Sequence, residues 1–356
     1  MTPVSRELLV DDLRDLVEGL LLLGSGGGGD PRLLARATAR QLALSPVTWV
    51  SLDELQPDDL VVPVGYIGST AVLREKLPSG TELAEAVDAL TRWTGRAPAA
   101  LMTLEMAGLN GLSPIATASL VGLPLLDADL TGRALPRLDQ SSLTASGRSI
   151  APCVVTEPGG QTVLLDGISP TEVESLLRLI ISKTSGWGAL ALAPQRVADL
   201  AETAIPGTAD RALKLGRGLR SAPRNATARE LSDAVDGRLI GSGRVVDLVT
   251  SPRSGGFDVT TVSILDESTG AVIRLEAENE FVIALVDGVA VTTAPDIIAV
   301  LGVPGASVLA VDDVHTGIEV AVVELAAPTW WTATPERRAS VSPQAFGFDD
   351  YPAAVR

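Results

Sequence analysis

The run Gly24-Ser25-Gly26-Gly27-Gly28-Gly29-Asp30-Pro31 limits what this chain can build more than any other stretch. It lies between an apolar helical pattern, Leu8 to Leu23, and a second one, Pro31 to Ala43. Glycine loses more backbone freedom on folding than any other residue, so consecutive glycines in ordered structure need a reason. Either the chain takes positive φ there or something approaches the backbone closely. A glycine loop feeding a helix N-terminus offers unpaired N–H groups and the positive end of a helix dipole. Gly26, Gly27, Gly28, Gly29 and Asp30 are therefore expected to contact a ligand through an anionic or polarised oxygen. The competing reading is a tight turn with close helix packing. No lysine follows the glycines, so the run lacks the point charge of a phosphate-binding P-loop, and a nucleotide is the least favoured ligand.

Composition narrows the function classes. At 356 residues the chain suits two or three domains. Hydrophobic residues make up 46% and aromatics 3%, so the cores are built from Leu, Val, Ile and Ala. A net charge of −16 argues against nucleic acid and against anionic membrane surfaces as partners. No basic, apolar leader and no bilayer-length apolar stretch is visible, which makes a cytoplasmic location the expectation. The single cysteine, Cys153, rules out an intramolecular disulfide, and the single histidine, His315, rules out a multi-histidine zinc site. No organic cofactor is expected. A divalent metal, if one is used, would be held mostly by carboxylate oxygens.

Strands and helices alternate through the first part of the chain. Val47–Leu52, Asp58–Val64, Ala99–Leu104 and Pro124–Asp129 read as strands, with helices at 82–94 and 110–122. Such alternation implies an α/β layer with a largely parallel sheet, whose strand C-terminal ends gather on one rim. After Asp166 the pattern turns helical. Ser169-Pro170-Thr171-Glu172 is a helix start, and further helices are expected around 195–203 and 209–219. From Arg238 onward, short β-branched runs separated by turn residues read as an all-β region, a barrel or sandwich. The expected domains are 1–168, a helical connector packing on the first domain at 169–236, and 237–356.

Several residues could carry chemistry. Glu105 ends an expected strand and is followed by a glycine turn and Asn110; burial would suit it to general-base work. Asp127 and Asp129 flank Ala128, and in an extended segment residues two apart point the same way. They could act as acid and base, hold a divalent cation, or form a structural pair with Arg133, which could also grip a substrate carboxylate. Cys153 has no nearby base and reads as inert packing, and His315 reads as a surface turn. Glu278-Asn279-Glu280 reads equally as a site wall or an exposed edge.

Taken in order, Gly24–Pro31, Glu105–Asn110, Asp127-Ala128-Asp129 with Gly132-Arg133-Ala134 and Pro136, Glu278–Phe281, Ala294–Ile298 and Gln344–Asp349 resemble the S-methyl-thiohydantoin desulfurase family. That family was long catalogued as a domain of unknown function beside hydantoinase/oxoprolinase proteins. The resemblance covers nearly the whole chain. It implies a three-layer N-terminal α/β domain and a β-barrel-like C-terminal domain. It also implies a hydrolase in which water attacks the ring carbon of an S-methylated thiohydantoin and methanethiol leaves. Glu105, or the Asp127 and Asp129 pair, would activate the water. Asn110 would bind ring amides, and the glycine-loop N–H groups would polarise the ring carbonyl. Arg133 would meet an acidic substrate group or hold Asp127. Met106-Ala107, Thr131 and Gln140 depart from the family pattern. The alternatives are another cyclic-amide hydrolase, or a ligand-binding accessory subunit of a hydantoinase/oxoprolinase system without turnover. The expected partners are a small heterocyclic substrate and further copies of the chain in a homo-oligomer.

Overall fold

The computed structural model describes residues 5–253, 257–349 and 351. By contacts the chain divides into two compact units: one comprises residues up to Leu13 together with Asp30–Asp210, the other Arg14–Gly29 together with Arg211 onward. The glycine run therefore belongs to the second unit, along with the C-terminal part of the chain.

The first unit holds strands β1 (Arg6–Leu8), β2 (Val47–Val50), β3 (Leu60–Gly68), β4 (Ala100–Thr103), β5 (Leu125–Leu126), β6 (Ala128–Asp129), β7 (Cys153–Thr156), β8 (Thr162–Leu165), β9 (Trp187–Ala191), β10 (Gln195–Arg196) and β11 (Ile205–Pro206). The main sheet runs β1-β2-β5-β4-β3-β9-β7-β8, with β10 also on β3. Only β2, β5, β4 and β3 pair in parallel; β1, β9, β7, β8 and β10 join antiparallel. The sheet is mixed rather than largely parallel. The sequence reading contained the parallel strands but not β7, β8 or β9. Trp187–Ala191 is the strand that turns the sheet antiparallel, and it sits inside the stretch expected to be a helical connector.

Residues on both faces of β3, β4 and β9 are buried, as a sheet covered on both sides requires. Under one face, Val61, Met102, Leu104, Val155 and Leu190 share a core with Val173 and Leu177 of the helix Pro170–Lys183 and Leu200 of the helix Val197–Thr203. The former helix starts with the expected capping box: Ser169 accepts from the Glu172 N–H, and Glu172 accepts in return from the Ser169 N–H. The helices Glu82–Thr94 and Gly108–Val121 pack on the same sheet, and both stop at a left-handed glycine, Gly95 and Gly122.

In the second unit, the helices Leu13–Leu23 and Thr208–Ser221 touch backbone to backbone. A Cβ on Gly19 would lie 1.8 Å from the Ala212 carbonyl oxygen, and one on Gly216 would lie 1.7 Å from that of Asp15. These two glycines fix the N-terminal helix to the C-terminal part of the chain. Eight antiparallel strands follow: Arg238–Ser251, Val259–Leu265, Val272–Ala277, Phe281–Val286, Val289–Thr293, Ile297–Gly302, Val308–Leu309 and Glu319–Leu325. They enclose an aliphatic core that includes Val262, Leu275, Ala284, Val300 and Val322. Among the described residues the ladder runs from Val289–Thr293 at one end to Val308–Leu309 at the other, with no pairing that joins the ends. The C-terminal domain is thus an eight-stranded, all-antiparallel sheet. No helix among the described residues is long and apolar enough to cross a membrane.

Candidate functional site

Three parallel strands end side by side: β3, β4 and β5. Glu105 follows β4, Asn110 lies in the first turn of the helix after it, and Asp129 ends β6 just beyond β5. This is the rim on which open α/β sheets place ligands.

Glu105 is 8% exposed. The Asn110 amide donates to its Oε1 at 3.0 Å and the Leu135 backbone N–H donates to its Oε2 at 3.2 Å. Burial pushes its pKa up to about 7, against those two hydrogen bonds, which favour the charged form. The Asp129 charge adds to the rise, and the Arg133 guanidinium opposes it. Each carboxylate oxygen keeps a further lone pair, so the group can still accept a proton.

Asn110 is locked in turn. Its Oδ1 accepts from the Tyr66 N–H at 2.6 Å, and its Nδ2 donates to the Tyr66 carbonyl at 3.0 Å. A Cβ on Gly65 would stand 2.9 Å from Asn110 Oδ1, so the glycine makes room for this exchange. β3 runs on to Gly68, past the Val64 at which the expected strand ends. Thr103 Oγ1 sits 2.8 Å from the Glu105 carbonyl and 2.6 Å from that of Asn110, tying the two ends of the strand-to-helix turn. Tyr66, Thr103 and Leu135 carry the geometry of the site; Gly65 beside Tyr66 was the only sequence signal for them.

Asp129 is fully buried, and its carboxylate accepts from the backbone N–H groups of Met106, Thr131 and Gly132. It clips the loop after β6 to the turn that carries Glu105. Arg133, also fully buried, donates from Nε to the Ala134 carbonyl at 3.1 Å. Asp127 has other partners. The break between β5 and β6 falls on it, so the alternation of an extended segment does not carry across. Its Oδ1 accepts from the Ala209 N–H at 2.8 Å, in the first turn of the helix from Thr208, and burial raises its pKa. The structure brings Glu105, Asn110, Asp129 and Arg133 together and gives Asp127 a helix-capping position.

The glycine run lies in the second unit. A Cβ on Gly26, at φ +87°, would stand 2.6 Å from the Phe281 ring, and one on Gly27 would stand 2.4 Å from Glu280 Oε1 and 2.7 Å from the Asn279 carbonyl. Ser25 Oγ bridges to the carbonyls of Phe281 and Ile298, both at 3.1 Å. Side chains of the β sheet thus occupy the space that Gly26 and Gly27 leave. Asp30 falls in the first unit and caps the following helix, accepting from the Arg32 N–H at 2.9 Å. Cys153 is buried with its thiol pushed up to about 12 by desolvation, chemically inert at neutral pH. His315 sits exposed in a turn. Among the described residues no group of three or more His, Cys, Asp or Glu is placed to hold a metal ion.

Three comparisons bear on this arrangement. No curated protein matches the chain. A crystal structure of a protein from Chromobacterium violaceum is 25% identical over 98% of this chain and 99% of that one, with a TM-score of 0.79. The model of the S-Me-THD-like N-terminal domain matches residues 11–167, and that of the S-Me-THD-like C-terminal domain matches residues 168–354. From its rim of buried carboxylates to its antiparallel C-terminal sheet, the chain belongs to the S-Me-THD-like family.

Proposed function

We propose that this chain is a hydrolase that releases methanethiol from an S-methylated thiohydantoin or a close cyclic relative. One observation carries the reading beyond family membership: Glu105 is a buried carboxylate, held from two sides, whose pKa lies near 7. A base poised near neutrality is the group that water attack on an amidine-like carbon requires.

In the proposed reaction Glu105 takes a proton from water as its oxygen bonds to the ring carbon that carries sulfur. The electron pair of the carbon–nitrogen double bond moves onto the ring nitrogen. Collapse of the tetrahedral species breaks the carbon–sulfur bond. The nitrogen pair re-forms the carbon–nitrogen double bond as the protonated Glu105 hands its proton to the departing sulfur, giving methanethiol and a hydroxy-imine whose hydroxyl proton then passes to the ring nitrogen to give the hydantoin, so atoms and charge balance. Asn110 keeps the carboxylate aligned through its exchange with Tyr66. Asp129 is a positioning residue: it holds the loop whose Leu135 N–H supports Glu105. Arg133 supplies positive charge that keeps the ionised form of Glu105 within reach of neutral pH.

The test is methanethiol release by the purified chain and by Glu105→Gln. The variant keeps the shape and is expected to lose about a hundredfold to ten-thousandfold in turnover while melting as a folded protein. Unchanged turnover would remove Glu105 from the mechanism. Carboxylate release without thiol would make the chain a different cyclic-amide hydrolase. Stoichiometric binding without turnover would make it a binding subunit of a hydantoinase/oxoprolinase system.

A further inference from the structure

The helix Pro170–Lys183 carries two apolar stripes. Val173 and Leu177 of the inner stripe belong to the core under the sheet, and Ile181 is buried one turn further on. The outer stripe is Leu176 and Leu179, 39% and 55% exposed. Glu172 precedes this pair by one turn and Lys183 follows it by one turn, both exposed. The positions 172, 176, 179 and 183 repeat at the alternating spacing of a coiled-coil seam. At 3.6 residues per turn they fall within about 60° of one another, so they form one straight stripe. Ser175 and Ser182 border it on one side and the half-buried Ile180 on the other. Both serine hydroxyls donate back to carbonyls of their own helix, those of Thr171 and Leu179, each at 2.9 Å. The border is therefore small and already satisfied, which lets another helix come close. Single exposed leucines are ordinary; a leucine pair in seam register, closed by opposite charges at its two ends, is not.

The stripe is its own complement. The leucine pair and the charged pair share one centre, midway between Leu177 and Arg178. A second copy laid antiparallel about that point sets Leu176 against the partner's Leu179 and Glu172 against the partner's Lys183, twice over by symmetry. Glu172 Oε2 takes the capping bonds from Ser169, which leaves Oε1 for such a pair. A parallel arrangement would set like charges together at both ends. We propose that this outer face is a self-association surface whose occupant is the same helix of a second copy, packed antiparallel. At a net charge of −16 two copies repel at long range, so contact between them needs the apolar burial and local charge pairing that this stripe supplies. The seam spans only about 16 Å. That is short for an obligate interface, so the association is weak and depends on concentration.

Sedimentation of the full chain at low salt, from about 1 µM to about 200 µM, tests this. Wild type is expected to pass from monomer to dimer across that range. Leu179→Glu changes an exposed residue, is expected to melt like wild type, and should weaken the dimer about a hundredfold or more, because it buries an unpaired charge in the seam. Glu172→Lys and Lys183→Glu each set like charges together at both ends and should weaken it about tenfold. An equimolar mixture of those two variants restores both opposite-charge pairs and should return the affinity to within about threefold of wild type. Mixing cannot repair a folding defect, so the lost Ser169 cap in Glu172→Lys does not imitate this result. A wild-type chain that stays monomeric throughout overturns the proposal. So does a dimer that Leu179→Glu or the charge variants leave intact, or one that the mixture fails to restore.

Discussion

The glycine run at residues 24–29 and the loop at 129–142 are the two most unusual stretches of the molecule, and they resolve in opposite ways. At Gly26 and Gly27 the missing side chains are answered by the protein's own atoms: the Phe281 ring, Glu280 and the Asn279 carbonyl. At Gln140 and Ser142 the polar atoms present are answered by nothing in the protein. A conspicuous composition marked a packing requirement, whereas an inconspicuous glutamine marked an unmet hydrogen-bonding demand. Residue type alone separates the two poorly, because glycine serves close packing and ligand approach equally well.

The sharpest way to break this contrast is Gly26→Ala. Its Cβ adds positive-φ strain of about 1–2 kcal/mol and forces apart a fully buried Phe281 ring at a further cost of about 1–3 kcal/mol. The expected outcome is a large fall in the denaturant midpoint with ligand affinity unchanged in the folded fraction. A variant that melts normally but binds ligand poorly would return the glycine run to the site.

The next effect belongs to Glu105. Its folded pKa, about 7, lies above the ordinary carboxylate value, so the folded state holds its proton over a pH range where the unfolded chain has released it. The resulting stabilisation is fully present below the unfolded pKa and is lost as pH rises through 7. Between pH 4.5 and 7 it amounts to roughly 3 kcal/mol at most. Unfolding in urea across that range should show stability falling with pH, and Glu105→Gln should flatten that slope. An unchanged slope in the variant would assign the pH dependence to other groups.

Much of this architecture could be read from residue patterns, and what could not has physical causes. The parallel strands and the helices between them followed from periodicity, and the helix Pro170–Lys183 from its Ser169 and Glu172 cap. The strand Trp187–Ala191 did not, because a short run buried on both faces has no alternation to distinguish it from helix. The contact between the helices at Gly19 and Gly216 was invisible for a related reason: single glycines in helical patterns carry no mark of the backbone they touch. At the rim, Glu105, Asn110, Asp129 and Arg133 could be picked out by type and position. Their division of labour could not. The strand interruption at Asp127 sends that carboxylate to Ala209, while Asp129 is taken up by three backbone N–H groups. Extended-strand alternation had put the two aspartates on the same side.

The central claim is that Glu105, buried and tuned to neutrality, is the base. The pH dependence of kcat/KM for methanethiol release from S-methyl-thiohydantoin tests it most directly. The account predicts a rising limb with an apparent pKa near 7, absent from the residual activity of Glu105→Gln. A wild-type profile flat from pH 5 to 8, or a limb that survives in the variant, would contradict it.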